Sequence, residues 1–126
     1  MTEPNLIILY VDSPAISAQF YSALLGKPPV ESSPVFAMFV LTTGVKLGLW
    51  ARHTVEPAVA PDNHFGGGGE LVFSVSHNDI VDALYADWRQ RQLPVVQTPS
   101  VMDFGYTFVA LDPDGHRLRV FAPSTT

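Results

Sequence analysis

The 126-residue chain has no cysteine, few basic residues and no long apolar run. Without cysteine it can form neither disulfides nor thiolate metal sites, and it has no cysteine nucleophile. Seven basic residues stand against twelve acidic ones, whereas binding to nucleic acid calls for clustered lysine and arginine. The first apolar run, Asn5 to Val11, is too short to span a membrane and lacks the basic start of a signal peptide. These absences predict a cytoplasmic protein with no nucleic-acid and no membrane partner.

The composition that remains is that of a folded domain. Hydrophobic residues make up 47% of the chain and charged residues 15%, which is typical of globular proteins and not of disordered ones. A chain of this length buries about two-thirds of its unfolded surface and needs no crosslinks to be stable.

The first half of the chain predicts the order β-α-β-β-β. An apolar strand ends at Val11, Asp12-Ser13-Pro14 begins a helix, and Gly26 ends it. The helix stripe predicted to face the sheet consists of Ile16, Phe20, Tyr21 and Leu24. An edge strand or loop at 27–34 and strands at 35–41 and 45–50 complete the module.

The second half repeats this order. A strand at 70–76, an amphipathic helix to about Gln92 and a short strand at 94–98 precede a loop through Asp103. A hairpin follows, whose strands at 106–111 and 116–121 flank the turn Asp112-Pro113-Asp114-Gly115. The repeat predicts one domain with two modules, 1–52 and 69–123, joined by a linker at 53–68.

Three stretches resemble the glyoxalase/bleomycin resistance/extradiol dioxygenase (vicinal oxygen chelate) superfamily. They are LYVDSPAISAQFYSALLG, SVSHNDIVDALYADWRQRQLPVV and FVALDPDGHRLRVF. The resemblance implies an α+β fold in which two βαβββ modules form an open, curved, eight-stranded sheet around a cleft, in a domain-swapped homodimer. Within the superfamily, the chain is most similar to metal-free resistance proteins that bind antibiotics, phenazines among them.

The resemblance also implies where a metal site would lie. Metalloenzymes of the superfamily carry four His or Glu ligands, and the matching positions here are Leu6, Gly48, Glu70 and Arg119. Leucine and glycine have no donor and arginine repels a cation, so only Glu70 could bind a metal. A site from His53, His64 and Glu70 is conceivable but lacks ligand spacing. We therefore predict no metal, no cofactor and no catalytic residue; the alternative is a metal-dependent lyase or dioxygenase.

Strand alternation predicts which side chains face the cleft. Pairing Leu111 with His116 puts Tyr106 and Phe108 on the face of Arg119, since the other face of the last strand is aliphatic. A turn at Thr43-Gly44 puts Phe39 opposite Gly48; a slip of one residue would reverse Phe39. The predicted ligand-binding residues lie on this face or at its rim: Phe39, Lys46, Gly48, Trp50, Glu70, Phe104, Tyr106, Phe108 and Arg119.

Three of these residues have two interpretations each. Trp50 is either a stacking platform for a flat ligand or an aromatic of the core or of a dimer interface. Arg119 binds a ligand carboxylate or pairs internally with Glu70, and both can hold in different states; Phe104 is either a lid or a loop anchor. We predict that the protein binds and sequesters a planar aromatic small molecule, a phenazine-like antibiotic, and so confers resistance without catalysis.

Overall fold

The computed structural model describes residues 3–59 and 68–124. The chain divides into two compact units, and each contains one main helix and one four-stranded sheet. Most of the predicted linker, residues 60–67 and with them His64, lies outside the described residues, so the predicted module bounds stay a prediction. In the part of the chain that is described, no helix is both long and apolar enough to cross a membrane.

The first unit contains β1 (Leu6–Val11), α1 (Pro14–Leu25), β2 (Glu31–Ser32), β3 (Phe36–Val40) and β4 (Lys46–Ala51), followed by a single 3₁₀ turn, Arg52–Thr54. The strand order across the sheet is β1-β4-β3-β2. The first strand runs parallel to β4, and the other neighbours are antiparallel.

Helix α1 begins and ends where local chemistry predicts. The Ser13 hydroxyl accepts a hydrogen bond from the Ile16 N–H at 3.2 Å, and Gly26, at φ +72°, caps the other end by donating to Ser22 O. The predicted stripe is partly wrong. The buried residues are Pro14, Ser17, Ala18 and Tyr21, whereas Ile16 is 59% exposed. The buried side of α1 thus consists of small residues and one tyrosine, and Ile16 lies outside it.

The second unit contains β5 (Glu70–Ser74), α2 (Asn78–Gln90), β6 (Val95–Met102), β7 (Gly105–Leu111) and β8 (Arg117–Pro123). The strand order is β5-β8-β7-β6, with β5 parallel to β8. The loop predicted after Thr98 is wrong, because β6 continues to Met102. Pro99 does not stop this edge strand, since it lies at an irregularity in the register between Gln97 and Ser100.

The two units therefore share one topology. The prediction of an α+β fold built from two βαβββ modules is confirmed. The joining of the two sheets into one open sheet around a cleft stays a prediction, and so does the domain-swapped homodimer.

Both hairpins turn through three residues. The Leu41 N–H donates to Val45 O at 2.9 Å, and the Asp112 N–H donates to His116 O at 3.0 Å, so the loops are residues 42–44 and 113–115. Each loop ends in a glycine of positive φ, Gly44 and Gly115. A glycine in the left-handed conformation at the end of the turn makes the loop three residues long, one more than in a two-residue hairpin.

This loop length makes both predicted registers wrong by one residue. The partner of Leu111 is Arg117, not His116, and the partner of Phe39 is Leu47, not Gly48. In a strand, a shift of one residue moves every side chain to the other face. The predicted faces of β3 and β7 are therefore reversed, while those of β4 and β8 are kept.

Candidate functional site

One face of each sheet packs against the helix of its unit, and we call the opposite side the helix-free face. In β4, Leu47, Leu49 and Ala51 are buried on the helix side, which leaves Lys46, Gly48 and Trp50 on the helix-free face, as predicted. The register brings further side chains to this face from the neighbouring strands: Leu6, Ile8, Tyr10, Phe36, Met38 and Val40.

Phe39 does not belong to this face, which corrects the prediction. Its side chain is fully buried on the helix side. The space beside Gly48 is occupied by Phe36 instead, since a Cβ atom at position 48 would lie 3.0 Å from Phe36 Cζ and 3.4 Å from Ile8 Cγ1. Gly48 thus leaves room for an aromatic ring, but the ring belongs to a different residue.

Trp50 is half-buried on the helix-free face of the first sheet. Its ring meets that of Tyr10 edge-on, with the centroids 6.4 Å apart, and Phe36 is its partner on β3. Lys46 is exposed on the same face. An indole with one aromatic edge contact and part of its surface in solvent can stack on a flat ligand.

Tyr106 and Phe108 lie on the helix side of the second sheet, which corrects a second prediction. Phe108 is fully buried, with its ring centroid 5.3 Å from that of Trp88 and 5.4 Å from that of Tyr85, both on α2. The Tyr106 hydroxyl donates to Asp82 Oδ1 at 2.6 Å. This bond to a carboxylate raises the pKa of Tyr106, and desolvation adds to the effect.

Arg119 and Glu70 form a bidentate ion pair on the helix-free face of the second sheet. Nε donates to Oε1 at 2.9 Å and Nη2 donates to Oε2 at 3.0 Å. Of the two predicted interpretations of Arg119, the structure shows the internal pair. The register makes the contact possible, because Val72 is the partner of Arg119 on β5 and Glu70 is the next residue along the same face.

Two neutral groups complete the surroundings of the guanidinium. Its Nη1 donates to Gln97 Oε1 at 3.3 Å and to Thr107 Oγ1 at 3.2 Å. The Thr107 hydroxyl in turn donates to Val120 O at 2.8 Å. The hydrogen bond from Arg119 lowers the pKa of Glu70, and the charges of Arg119 and Arg117 act in the same direction, against a smaller rise from desolvation. Glu70 is therefore held as a carboxylate.

Phe104 stands at the turn between β6 and β7, on the same side as Arg119. Its ring centroid is 5.8 Å from that of Phe121 and 5.6 Å from the Arg119 guanidinium carbon, and the residue is 44% exposed. These contacts anchor the ring beside the ion pair while leaving part of it open. Its role as a lid stays a prediction.

The residues present do not fit a catalytic metal. At the positions implied by the superfamily, Glu70 is the one possible ligand, and Arg119 already engages both of its oxygens. No group of three or more His, Asp or Glu side chains that could hold a metal occurs in residues 3–59 and 68–124. A divalent metal site needs several such donors, so these residues support no metal-dependent step.

A pocket of about 540 Å³ lies elsewhere in the second unit, beside the first turn of α2. Its walls include His77, Asn78, Met102, Tyr106 and Pro123. Tyr106 is its one aromatic residue, and the hydroxyl of that residue is committed to Asp82. The aromatic side chains of the helix-free faces, Trp50 and Phe104 among them, do not line this pocket.

Several residues of these faces escaped the sequence prediction. Phe36, Met38 and Thr107 would have been found had the three-residue loops been recognised, because the corrected register brings each of them to a helix-free face. Gln97 gives no such signal, since it reaches Arg119 from an edge strand with an irregular register.

Comparison with known proteins identifies a family. The sequence model described as "Glyoxalase/Bleomycin resistance protein/Dioxygenase superfamily" matches residues 4–120. The phenazine antibiotic resistance protein EhpR of Enterobacter agglomerans is 31% identical over 120 residues, covering 93% of this chain and 89% of the relative.

Solved structures share the fold of this chain. Protein ATC0852 of Agrobacterium tumefaciens, known from a solution NMR structure, is 55% identical with a TM-score of 0.86, and the match covers 98% of this chain and 99% of that one. A glyoxalase-related enzyme of Fulvimarina pelagi shares the fold at 19% identity and a TM-score of 0.83, over 97% of this chain and 88% of that one.

Proposed function

The chain belongs to the glyoxalase/bleomycin resistance protein/dioxygenase superfamily, and from that premise we propose that it binds a planar aromatic small molecule without converting it. The observation that carries the proposal is the helix-free face of the first sheet. Trp50, Tyr10, Phe36 and Met38 lie there together and half-buried. Aromatic and thioether side chains on one surface favour stacking with a flat ring system.

The second sheet supports the same class of ligand. Phe104 and Phe121 form an aromatic pair on its helix-free face, and the larger exposed share belongs to Phe104. The similarity to a protein described as a phenazine antibiotic resistance protein favours a phenazine-like antibiotic within this class. Binding would then protect a cell by sequestration, one ligand for each site, with no turnover.

In the ranges 3–59 and 68–124 no cluster of side chains fits a metal, and this supports binding over catalysis. Removing metals from the protein with a chelator should leave ligand affinity unchanged, as measured by equilibrium dialysis before and after treatment. A stoichiometric metal whose removal abolishes an activity would contradict the proposal and favour the metal-dependent lyase or dioxygenase.

The direct test uses the two tryptophans. Phenazine should quench the intrinsic fluorescence of the protein, and Trp50→Ala should weaken phenazine binding by about tenfold, because a stacking aromatic contact is lost. Affinity is measured by calorimetry, which does not depend on the removed fluorophore.

Trp88→Phe is the matched control. Trp88 is buried between Phe73 and Phe108 on the helix side, so this variant should keep the affinity of the wild type. Equal affinity of Trp50→Ala and the wild type would remove Trp50 from the site, and no binding of phenazine by the wild type would refute the proposed ligand class.

We further propose a homodimer. The supporting observation is the edge strand β1. Its residues Leu6, Ile7 and Ile8 point alternately to the two faces of the sheet, and yet each of them is more than a third exposed. Sedimentation equilibrium should give twice the mass of the chain, and a monomer at all accessible concentrations would contradict the proposal. Domain swapping and a cytoplasmic location stay predictions.

A further inference from the structure

The Arg119 guanidinium has almost no unused hydrogen-bonding capacity. An arginine side chain has five N–H donors, and four bonds leave Arg119: two to Glu70, one to Gln97 and one to Thr107. One N–H of Nη2 is left over. A carboxylate ligand binds arginine through two parallel N–H groups, and both bidentate edges of this guanidinium already include bonded atoms.

The guanidinium is also held in place. The Arg119 side chain is 17% exposed, Thr107 beneath it is fully buried, and the Phe104 ring lies 5.6 Å away. A group fixed by partners on several strands cannot turn toward a new anion without breaking those bonds.

The charge of Arg119 is compensated as well. Glu70 lies in direct contact with it, so an incoming carboxylate would meet a negative group at the same edge. Arg117, the partner of Glu70 across β5 and β8, adds a positive charge, but it is exposed and therefore screened by water and salt.

We infer that the aromatic surface that Phe104 and Phe121 form beside Arg119 accepts planar ligands that carry no charge next to Arg119 and discriminates against carboxylates, with Glu70 as the residue that determines this specificity. The inference rests on the proposed function and narrows its ligand class. It assigns Glu70 the role of keeping Arg119 unavailable to anions.

The experiment compares two probes of nearly equal shape, phenazine-1-carboxamide and phenazine-1-carboxylate, by calorimetry at neutral pH. The wild type should bind the carboxamide about tenfold or more tightly than the carboxylate, because the carboxylate gives up hydrogen bonds to water at this edge, gains none from Arg119 and meets the negative charge of Glu70. In Glu70→Gln the charge of Arg119 is uncompensated, so the carboxylate should gain about tenfold and the carboxamide should change little.

Glu70→Asp and Arg117→Gln are the controls. Glu70→Asp keeps the negative charge and should restore preference for the carboxamide, and Arg117→Gln should leave the preference in place. Equal or tighter binding of the carboxylate to the wild type, or an unchanged preference in Glu70→Gln, would overturn the inference and leave the proposed function intact. Failure of the wild type to bind either probe would refute both.

Discussion

The two sheets fill their helix-free faces from opposite strands. In the first unit, a large side chain on β3, Phe36, lies over a small residue on β4, Gly48. In the second unit, the large side chain is on β8, where Arg119 reaches over Thr107 of β7. The arrangement of a large residue diagonal to a small one is shared, but the direction of the diagonal is reversed.

The register shows that these positions correspond. Gly48 has Ile8 as its partner on the parallel edge strand, and Arg119 has Val72 in the same relation. Two residues earlier on that strand stand Leu6 in the first unit and Glu70 in the second. One backbone repeat thus supports an apolar, aromatic surface in one case and an ion pair in the other. The common requirement is that the face be filled; the chemistry of the filling residue can change.

The largest loss of stability is expected from truncating rings on the helix side, which lies outside the comparison of the two helix-free faces. Phe108→Ala and Phe39→Ala should each lower the free energy of unfolding by about 3–5 kcal/mol, because both rings are fully buried and leave cavities. Urea denaturation measures this loss. Phe104→Ala, at a partly exposed ring, is the control and should cost much less. If Phe108→Ala had only a mild effect, the ring would not be buried on the helix side, and the measurement would favour the register predicted from the sequence for the second hairpin.

A smaller effect on stability is expected from the ion pair, which the second sheet has where the first sheet has apolar residues. Glu70→Gln should lower the free energy of unfolding by about 1–2 kcal/mol, because Arg119, which is 17% exposed, loses its charged partner at a site that solvent partly screens. Leu6→Met, at the corresponding position of the first unit, keeps an apolar side chain of similar volume and should change it by no more than about 0.5 kcal/mol. Equal costs at the two positions would contradict the distinction between the faces.

Acidification should abolish the difference in free energy of unfolding between the wild type and Glu70→Gln. The pKa of Glu70 is lower in the folded state than its ordinary value, so the unfolded chain binds the proton more readily. The stabilisation is complete above the ordinary glutamate pKa and is lost as the pH falls through the lowered one. Denaturation curves of both proteins should therefore converge on acidification, and a gap that stays constant would show that Glu70 acts by packing and not by charge.

The smallest effect is expected at Gly48. An added Cβ would meet Phe36 at 3.0 Å, so in Gly48→Ala the half-buried ring must shift by a few tenths of an ångström. The stability change should stay within about 1 kcal/mol, and it should disappear when Phe36→Leu is present. Thermal unfolding of the two single variants and the double variant measures this coupling. Additive effects would mean that Gly48 does not make room for the ring.

The candidate site shows which faces the sequence predicts correctly. The predicted faces of Trp50 and Arg119 agree with the structure, because alternation within one strand needs no partner strand. Phe39, Tyr106 and Phe108 were placed on the wrong face because their positions were transferred across a hairpin, where one residue of loop length decides the face.

The order of elements was contained in the sequence, since helix caps, turn glycines and apolar periodicity are local properties that residues within a few positions determine. The sequence also indicated the superfamily, through motifs at the starts of the helices and in the last hairpin. The tertiary structure alone decided whether Arg119 is available to a ligand. Its partners Glu70, Gln97 and Thr107 are 49, 22 and 12 positions away, and their meeting depends on strand register, which local sequence chemistry does not specify.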